Sequence, residues 1–342
     1  MSLANSVLEG DRAALSRLLS EIENDTTTGK EAVDALSSKC GNAHIIGVTG
    51  AAGAGKSSLI HRLVDHFISF SNIDKKRKIA ILAIDPSSPI SGGAVLGDRI
   101  RMRSLITAPG VFIRSMAERN GSGGVAPNIQ DMISAFDAAG YGTILVETVG
   151  AGQSDIAIRE FCHTLILTLA PGFGDDIQAL KAGILEIADI YVLNKSDLPD
   201  AAQTEIKIRS VLPLRGREAL SDIHDGSHLE YLISLEKKGN EENDISQWEP
   251  DLIRVSTVTG AGIPELAAEI DRHFIHIKDT GKKEWLEKQI LEKRVKSLLR
   301  EEIFQKWKDG ISQEKFDGVI SLVFERKISP HQAVDMLLSN KL

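Results

Sequence analysis

The chain is poor in cysteine: only Cys40 and Cys162 occur among its 342 residues. Two thiols so far apart build no disulfide framework, which fits a reducing compartment and points to both as buried apolar thiols. Long hydrophobic runs are missing too. The longest, around Leu165 to Ala170, is far short of the roughly 20 residues a membrane-spanning helix needs, so no membrane partner is expected. Leu8-Glu9-Gly10-Asp11-Arg12 sets acids where a secretory signal would carry its apolar segment. The expectation is a cytoplasmic protein, or the mature form of an organellar one. An excess of positive charge is also absent. Forty Lys and Arg against 48 Asp and Glu leave a net charge of −8, so no nucleic-acid partner is expected. No internal repeat or low-complexity tract occurs.

What is present is ordinary for a globular chain, with 42% apolar and 26% charged residues. Leu8, Leu15, Leu18, Leu19 and Ile22 recur at helical spacing, with Asp11 as N-cap. Thr26-Thr27-Thr28-Gly29 breaks that pattern, and a second helix is expected over 30–38. From His44 the texture changes to short, continuous apolar runs: 45–49, 79–84, 111–114, 143–146, 164–168, 190–193 and 252–255. Such runs alternating with helices predict an α/β fold with a mostly parallel sheet covered on both faces. Ligand loops then lie at the carboxyl edge of that sheet. A long amphipathic helix is expected over 282–308, with Leu286, Ile290, Leu291, Val295, Leu298, Leu299, Ile303 and Trp307 as its apolar stripe. Two shorter helices follow, over 313–326 and 330–338. The expected organisation is an N-terminal helical segment over 1–40, a nucleotide-binding domain over 41–276 and a C-terminal helical arm over 277–342. Residues 210–248 carry a solvated charged loop and are the least readable.

Gly50-Ala51-Ala52-Gly53-Ala54-Gly55-Lys56-Ser57 matches G-x-x-x-x-G-K-[ST] between an expected strand and helix, the context a P-loop requires. Glycines let the backbone curl its N–H groups toward phosphate oxygens. Gly53, Ala54, Gly55, Lys56, Ser57 and Ser58 are the candidate phosphate contacts. Lys56 reaches the β- and γ-phosphates, and Ser57 offers its hydroxyl to Mg²⁺. Asn194-Lys195-Ser196-Asp197 follows a later strand and selects the base. The Asp197 carboxylate accepts from N1–H and the 2-amino group of guanine, whereas adenine would leave it unpaired, a rejection that can reach about 10⁴-fold. Ser256, Thr257 and Val258, after the last strand, are placed to close over guanine O6 with backbone N–H groups. The ligand pair is therefore GTP and GDP with Mg²⁺. Glu147-Thr148-Val149-Gly150 ends another strand, where many GTPases carry Asp-x-x-Gly. Glu147 and Lys56 are the candidate catalytic residues, and Glu147 is also a candidate for the Mg²⁺ shell. Residue 151 is Ala, so the Gln that orients water in many GTPases is missing there, and slow intrinsic turnover is expected. Asp98 lies in a glycine-rich stretch that suits a switch loop delivering a carboxylate to Mg²⁺, with a helix N-cap as the alternative.

The set resembles the MeaB/ArgK family, GTPase chaperones associated with methylmalonyl-CoA mutase. The resemblance is carried by residues 83–89, 92–102, 112–116, 146–154 and 183–189, and extends from about Leu8 to the C-terminus. It implies slow GTP hydrolysis and association with an adenosylcobalamin-dependent mutase, whose cofactor loading is gated. It also implies a homodimer formed through a C-terminal arm such as 282–342. By the same resemblance Ser57, Asp85 and Asp98 surround Mg²⁺, Glu147 is the catalytic carboxylate, and Asp175 and Lys181 relay nucleotide state. Ala52 stands where the family usually has Pro. A metal-insertion GTPase of the nickel or zinc delivery type is the alternative. Such proteins need ligand clusters, and here only His224 with His228 and His273 with His276 are closely spaced. An ATP-dependent kinase conflicts with Asn194 to Asp197.

Overall fold

The structure is a computed structural model that describes residues 2–70, 78–86, 103–118, 128–148, 157–172, 185, 187–212 and 248–339. It divides into two compact units, 1–288 and 289–342. Among the described residues no helix is long and apolar enough to cross a membrane.

The first unit is built on a seven-stranded sheet: β1 (His44–Gly50), β2 (Ile79–Pro86), β3 (Val111–Glu118), β4 (Thr143–Thr148), β5 (Thr164–Leu169), β6 (Ile190–Leu193) and β7 (Leu252–Arg254). The strand order is β3-β2-β4-β1-β5-β6-β7, and every neighbouring pair is parallel. All residues of β1, β4, β5 and β6 are buried. That double-sided burial is why the strands read as unbroken apolar runs rather than alternating ones.

Alternate residues feed two cores. Ile45, Ile144 and Leu165 face the helices α1 (Leu3–Leu8), α2 (Arg12–Glu23), α3 (Thr27–Leu36) and α5 (Asn128–Ala138). Ile46, Leu145 and Ile166 face α4 (Lys56–Phe70) and α7 (Ile263–Asp279). Between these two helices in sequence lies α6 (Ala201–Val211), whose Ile208 joins a third cluster with Leu193 and Leu252. The N-terminal helices thus share one core with the sheet. Asp11 caps α2 as expected, its Oδ1 accepting from Ala13 N at 2.8 Å. The expected break at 26–29 is instead the start of α3. Thr26 is its N-cap, with Oγ1 accepting from Gly29 N at 3.0 Å. Gly29 lies within the helix, and a Cβ there would meet the Glu21 carbonyl carbon at 2.9 Å. Glycine therefore marks close helix approach here rather than a break.

The amino-terminal edge of the sheet holds a buried polar layer. Arg159 Nη1 donates to Asp189 Oδ2 at 2.7 Å, with both side chains almost fully buried. Burial by itself would raise the Asp189 carboxyl, but Arg159, helped by His273, holds it far below the usual carboxylate range. Thr164 Oγ1 lies 2.7 Å from His44 Nε2 and 2.8 Å from His273 Nδ1. Ile45 N donates to His163 Nδ1 at 3.2 Å, and His163 Nε2 lies 3.5 Å from Glu287. Cys162 is fully buried beside Gly47, and burial pushes its thiol up to about 12. Half-buried Cys40 is raised chiefly by burial as well.

Glu287 belongs to α8 (Lys282–Asp309), which begins in the first unit and continues into the second. In the second unit, α9 (Gln313–Phe324) and α10 (Pro330–Ser339) enclose a small core of Val319, Ala333 and Leu337, against which Trp307 and Phe316 pack. Beside it lies an apolar groove of about 400 Å³, lined by Phe304, Trp307, Val323 and Leu338 among others. The expected apolar stripe of α8 divides along its length. Leu286 is buried, whereas Leu291, Val295, Leu298, Leu299 and Ile303 are exposed.

Candidate functional site

The carboxyl ends of β1, β4, β6 and β7 bring four of the expected motifs to one edge of the sheet. The loop after β1 curls through Gly50, Gly53 and Gly55, all at positive φ, and then enters α4. Lys56 and Ser57 form the first turn of that helix and are both buried. Lys56 Nζ donates to Gly50 O at 2.7 Å and Ala51 O at 3.1 Å, so its ammonium lies within the loop whose N–H groups receive phosphate.

β4 runs beside β1 with Val48 opposite Glu147. That register carries Glu147 to Ser57, and Ser57 Oγ donates to Glu147 Oε1 at 2.6 Å in a buried bond. The pair fits Mg²⁺. Two oxygen donors lie side by side at a helix N-terminus, and a hydroxyl that gives its proton to a carboxylate still offers lone pairs to a hard cation. Thr148 Oγ1 and Thr49 Oγ1, 3.1 Å apart, tie β4 to β1 one residue further on.

Asn194 follows β6 and is wholly buried. Its Nδ2 donates to Ala54 O at 2.8 Å, and its Oδ1 accepts from Thr257 N at 3.4 Å. One side chain therefore braces the phosphate loop against the loop after β7. Gly55 is the counterpart. It adopts φ +92°, and a Cβ there would lie 2.3 Å from Asn194 Nδ2. Lys195 takes a left-handed φ of 55°, and the chain then turns so that Ser196 N bonds Val255 O at 3.0 Å. Asp197 is exposed. Its Oδ1 accepts from Ser256 Oγ at 2.5 Å, and its Oδ2 has no partner among the described residues. Ser256 Oγ in turn accepts from Thr259 N at 3.2 Å.

One contact escaped sequence reasoning. Arg62, on the exposed face of α4, donates from Nε to Thr257 O at 2.7 Å and from Nη2 to Val258 O at 3.0 Å. No local pattern distinguishes this arginine from a solvated one, because its partners lie almost two hundred positions away. Among the other expected residues, Gly53, Ala54, Ser58 and Val258 fall on these loops or on α4. Asp85 is the last residue but one of β2, opposite Ala117 of β3. Asp98, Asp175, Lys181, His224 and His228 lie outside the described residues, as do 149–156, the whole resemblance segment 92–102, and 213–247.

A parallel sheet with a P-loop on its central strand, a buried Ser–Glu pair beside that loop and an Asn-Lys-x-Asp turn two strands away define a P-loop GTPase. The comparisons with known proteins agree. The profile of the Methylmalonyl Co-A mutase-associated GTPase MeaB family matches residues 15–312, and the chain belongs to that family. A Pyrococcus horikoshii protein that carries a GTPase name is 36% identical over 336 residues, covering 98% of this chain and 96% of its own. GTPase ArgK of Escherichia coli is 29% identical over 312 residues, 87% of this chain and 86% of its own. Methylmalonic aciduria type A homolog, mitochondrial, of Caenorhabditis elegans is 28% identical and covers 89% of this chain and 74% of its own. The crystal structure of an LAO/AO transport system kinase shares the fold, with a TM-score of 0.61 and 21% identity over 98% of this chain and 95% of that one. Family membership gives guanine nucleotide as the ligand class and places the chain with the mutase-associated GTPases rather than with metal insertion.

Proposed function

We propose that this chain is a slow, Mg²⁺-dependent GTPase that acts as chaperone and gatekeeper for an adenosylcobalamin-dependent acyl-CoA mutase of the methylmalonyl type. The reading includes a homodimer formed through the arm at 277–342 and a cytoplasmic location. The observation that carries it is membership, over residues 15–312, of a family named for its association with that mutase. A relative whose name refers to methylmalonic aciduria supports the same reading.

In this proposal the N–H groups of Gly53 to Ser58 and the Lys56 ammonium hold the phosphates. Ser57 and Glu147, with Asp85 and Asp98, would hold Mg²⁺, which when bound would supply neutralisation of the phosphate charge. Glu147 orients the attacking water. Its carboxylate is already fixed by Ser57, so little reorganisation is needed when nucleotide enters. Asn194, Lys195 and Asp197 hold the guanine, closed by Ser256, Thr257 and Val258. The exposed apolar residues of α8, from Leu291 to Ile303, together with the groove beside Trp307 support an arm that pairs with a second copy.

The test is capture of a purified adenosylcobalamin-dependent mutase by the tagged full-length chain, with GDP and with a non-hydrolysable GTP analogue. A complex whose yield depends on the nucleotide is expected. No complex in either state removes the chaperone reading and leaves the GTPase.

A further inference from the structure

We infer that Arg62 is a positioning residue for base recognition: its guanidinium holds the peptide of Val258 so that the N–H of Val258 faces the guanine O6. The inference rests on the guanine reading of Asn194 to Asp197.

A trans peptide is planar, and its C=O and N–H point in opposite directions; the described chain has no cis bonds. Thr257 O is held by Arg62 Nε at 2.7 Å, so the N–H of Val258, on the same peptide, is turned away from Arg62. Val258 O is held by Nη2 at 3.0 Å, which turns the N–H of Thr259 the same way. The direction can be checked on the second peptide. Thr259 N donates to Ser256 Oγ, and that hydroxyl donates to Asp197. The Val258 N–H therefore faces the side of the loop that carries Asp197, and it has no hydrogen-bond partner among the described residues.

Two successive carbonyls accepted by one guanidinium require the fork that Arg has and Lys lacks. Val258 is 73% exposed, so packing does little to hold this turn; from outside the loop Asn194 and Asp197 hold Thr257 N and Ser256 Oγ, and the Arg62 fork holds the two carbonyls on either side of Val258 N. Because Arg62 sits on the helix that begins with Lys56 and Ser57, it also links the base loop to the phosphate site. Guanine has an acceptor at position 6 where adenine has a donor, so an N–H held there selects guanine independently of Asp197.

The experiment measures dissociation constants of the full chain and of Arg62→Ala and Arg62→Lys for GDP, 6-thio-GDP, IDP and ADP. IDP lacks the 2-amino group and reports on Asp197; 6-thio-GDP weakens the acceptor at position 6 and reports on the Val258 N–H. Arg62→Ala is expected to lose about tenfold in GDP affinity, the scale of one or two hydrogen bonds. Its preference for GDP over 6-thio-GDP should shrink about threefold, while its GDP-to-IDP ratio stays constant. Arg62→Lys should behave like the Ala variant. Equal weakening toward all four nucleotides would reveal a merely structural contact and overturn the inference. So would an unmoved 6-thio ratio in a protein that prefers GDP. A wild-type chain that binds ADP as tightly as GDP overturns the guanine reading itself, and this inference with it.

Discussion

At the scale of single residues, the site is held by side chains that each do two things. Ser57 fixes Glu147 and, in the proposed site, would present its oxygen to the cation. Replacing Glu147 by Gln keeps the shape and the acceptor for Ser57 but removes the charge. GDP and GTP should still bind, with single-turnover hydrolysis slower by about 10²-fold, the low end for loss of a positioned acid or base. Unchanged hydrolysis would take Glu147 out of the mechanism. Asn194 likewise fills two roles, as brace and as neighbour of Gly55. Gly55→Ala puts a methyl group into Asn194 and a side chain at φ +92°. The strain should cost about 1–3 kcal/mol, read as a lower urea midpoint together with loss of GDP binding. A variant that keeps wild-type affinity would mean that Asn194 is not needed as the brace.

At the scale of elements, β1 and β5 meet α8 through one buried histidine. Because Ile45 N donates to His163 Nδ1, the neutral ring carries its proton on Nε2, toward Glu287. Burial lowers the His163 pKa, and Glu287 offsets this only in part. Burial would raise Glu287, but His163 and Lys283 reverse it and hold the carboxylate low. The folded pKa of His163 lies below the ordinary histidine value of about 6.5, so the unfolded chain binds the proton more readily. Stability is fully present above about pH 6.5 and falls as the pH drops below it. His276, lowered mainly by burial, acts in the same direction. Urea midpoints should therefore decline between pH 7.5 and pH 5.5, and His163→Asn should decline less steeply. Equal slopes would place the proton elsewhere.

At the scale of the molecule, the position of a cut matters. The sequence suggests an arm beginning at 277, yet Lys283 reaches Gly41 O at 3.1 Å, Leu286 is buried and Glu287 faces His163. These residues belong to the unit that ends at 288. Truncation after Lys288 should leave a folded, nucleotide-binding unit that sediments as a monomer, whereas the full chain sediments as a dimer. A dimer that survives the cut places the interface on the first unit. Truncation after His276 would also remove the Glu287 and Lys283 contacts, so its loss of stability would say little about dimerisation.

The sequence by itself determined the sheet and most of the site, because both rest on local physics. Strands buried on two faces must be apolar throughout, so 45–49, 79–84 and 143–146 were legible as strands of a covered parallel sheet. A phosphate loop needs glycines followed by Lys56 and Ser57 at short range, and Asn194 and Asp197 stand three positions apart. The tertiary structure alone decided what depends on distant partners. Gly29 reads as a breaker until the nearness of the Glu21 backbone shows why a helix carries it. Arg62 reads as a solvated cation until the loop after β7 folds onto α4. The apolar stripe of 282–308 reads as one face, but only the fold buries its beginning and leaves Leu291 to Ile303 exposed. Periodicity records that a side chain is apolar, and contact with the rest of the chain decides whether it is covered.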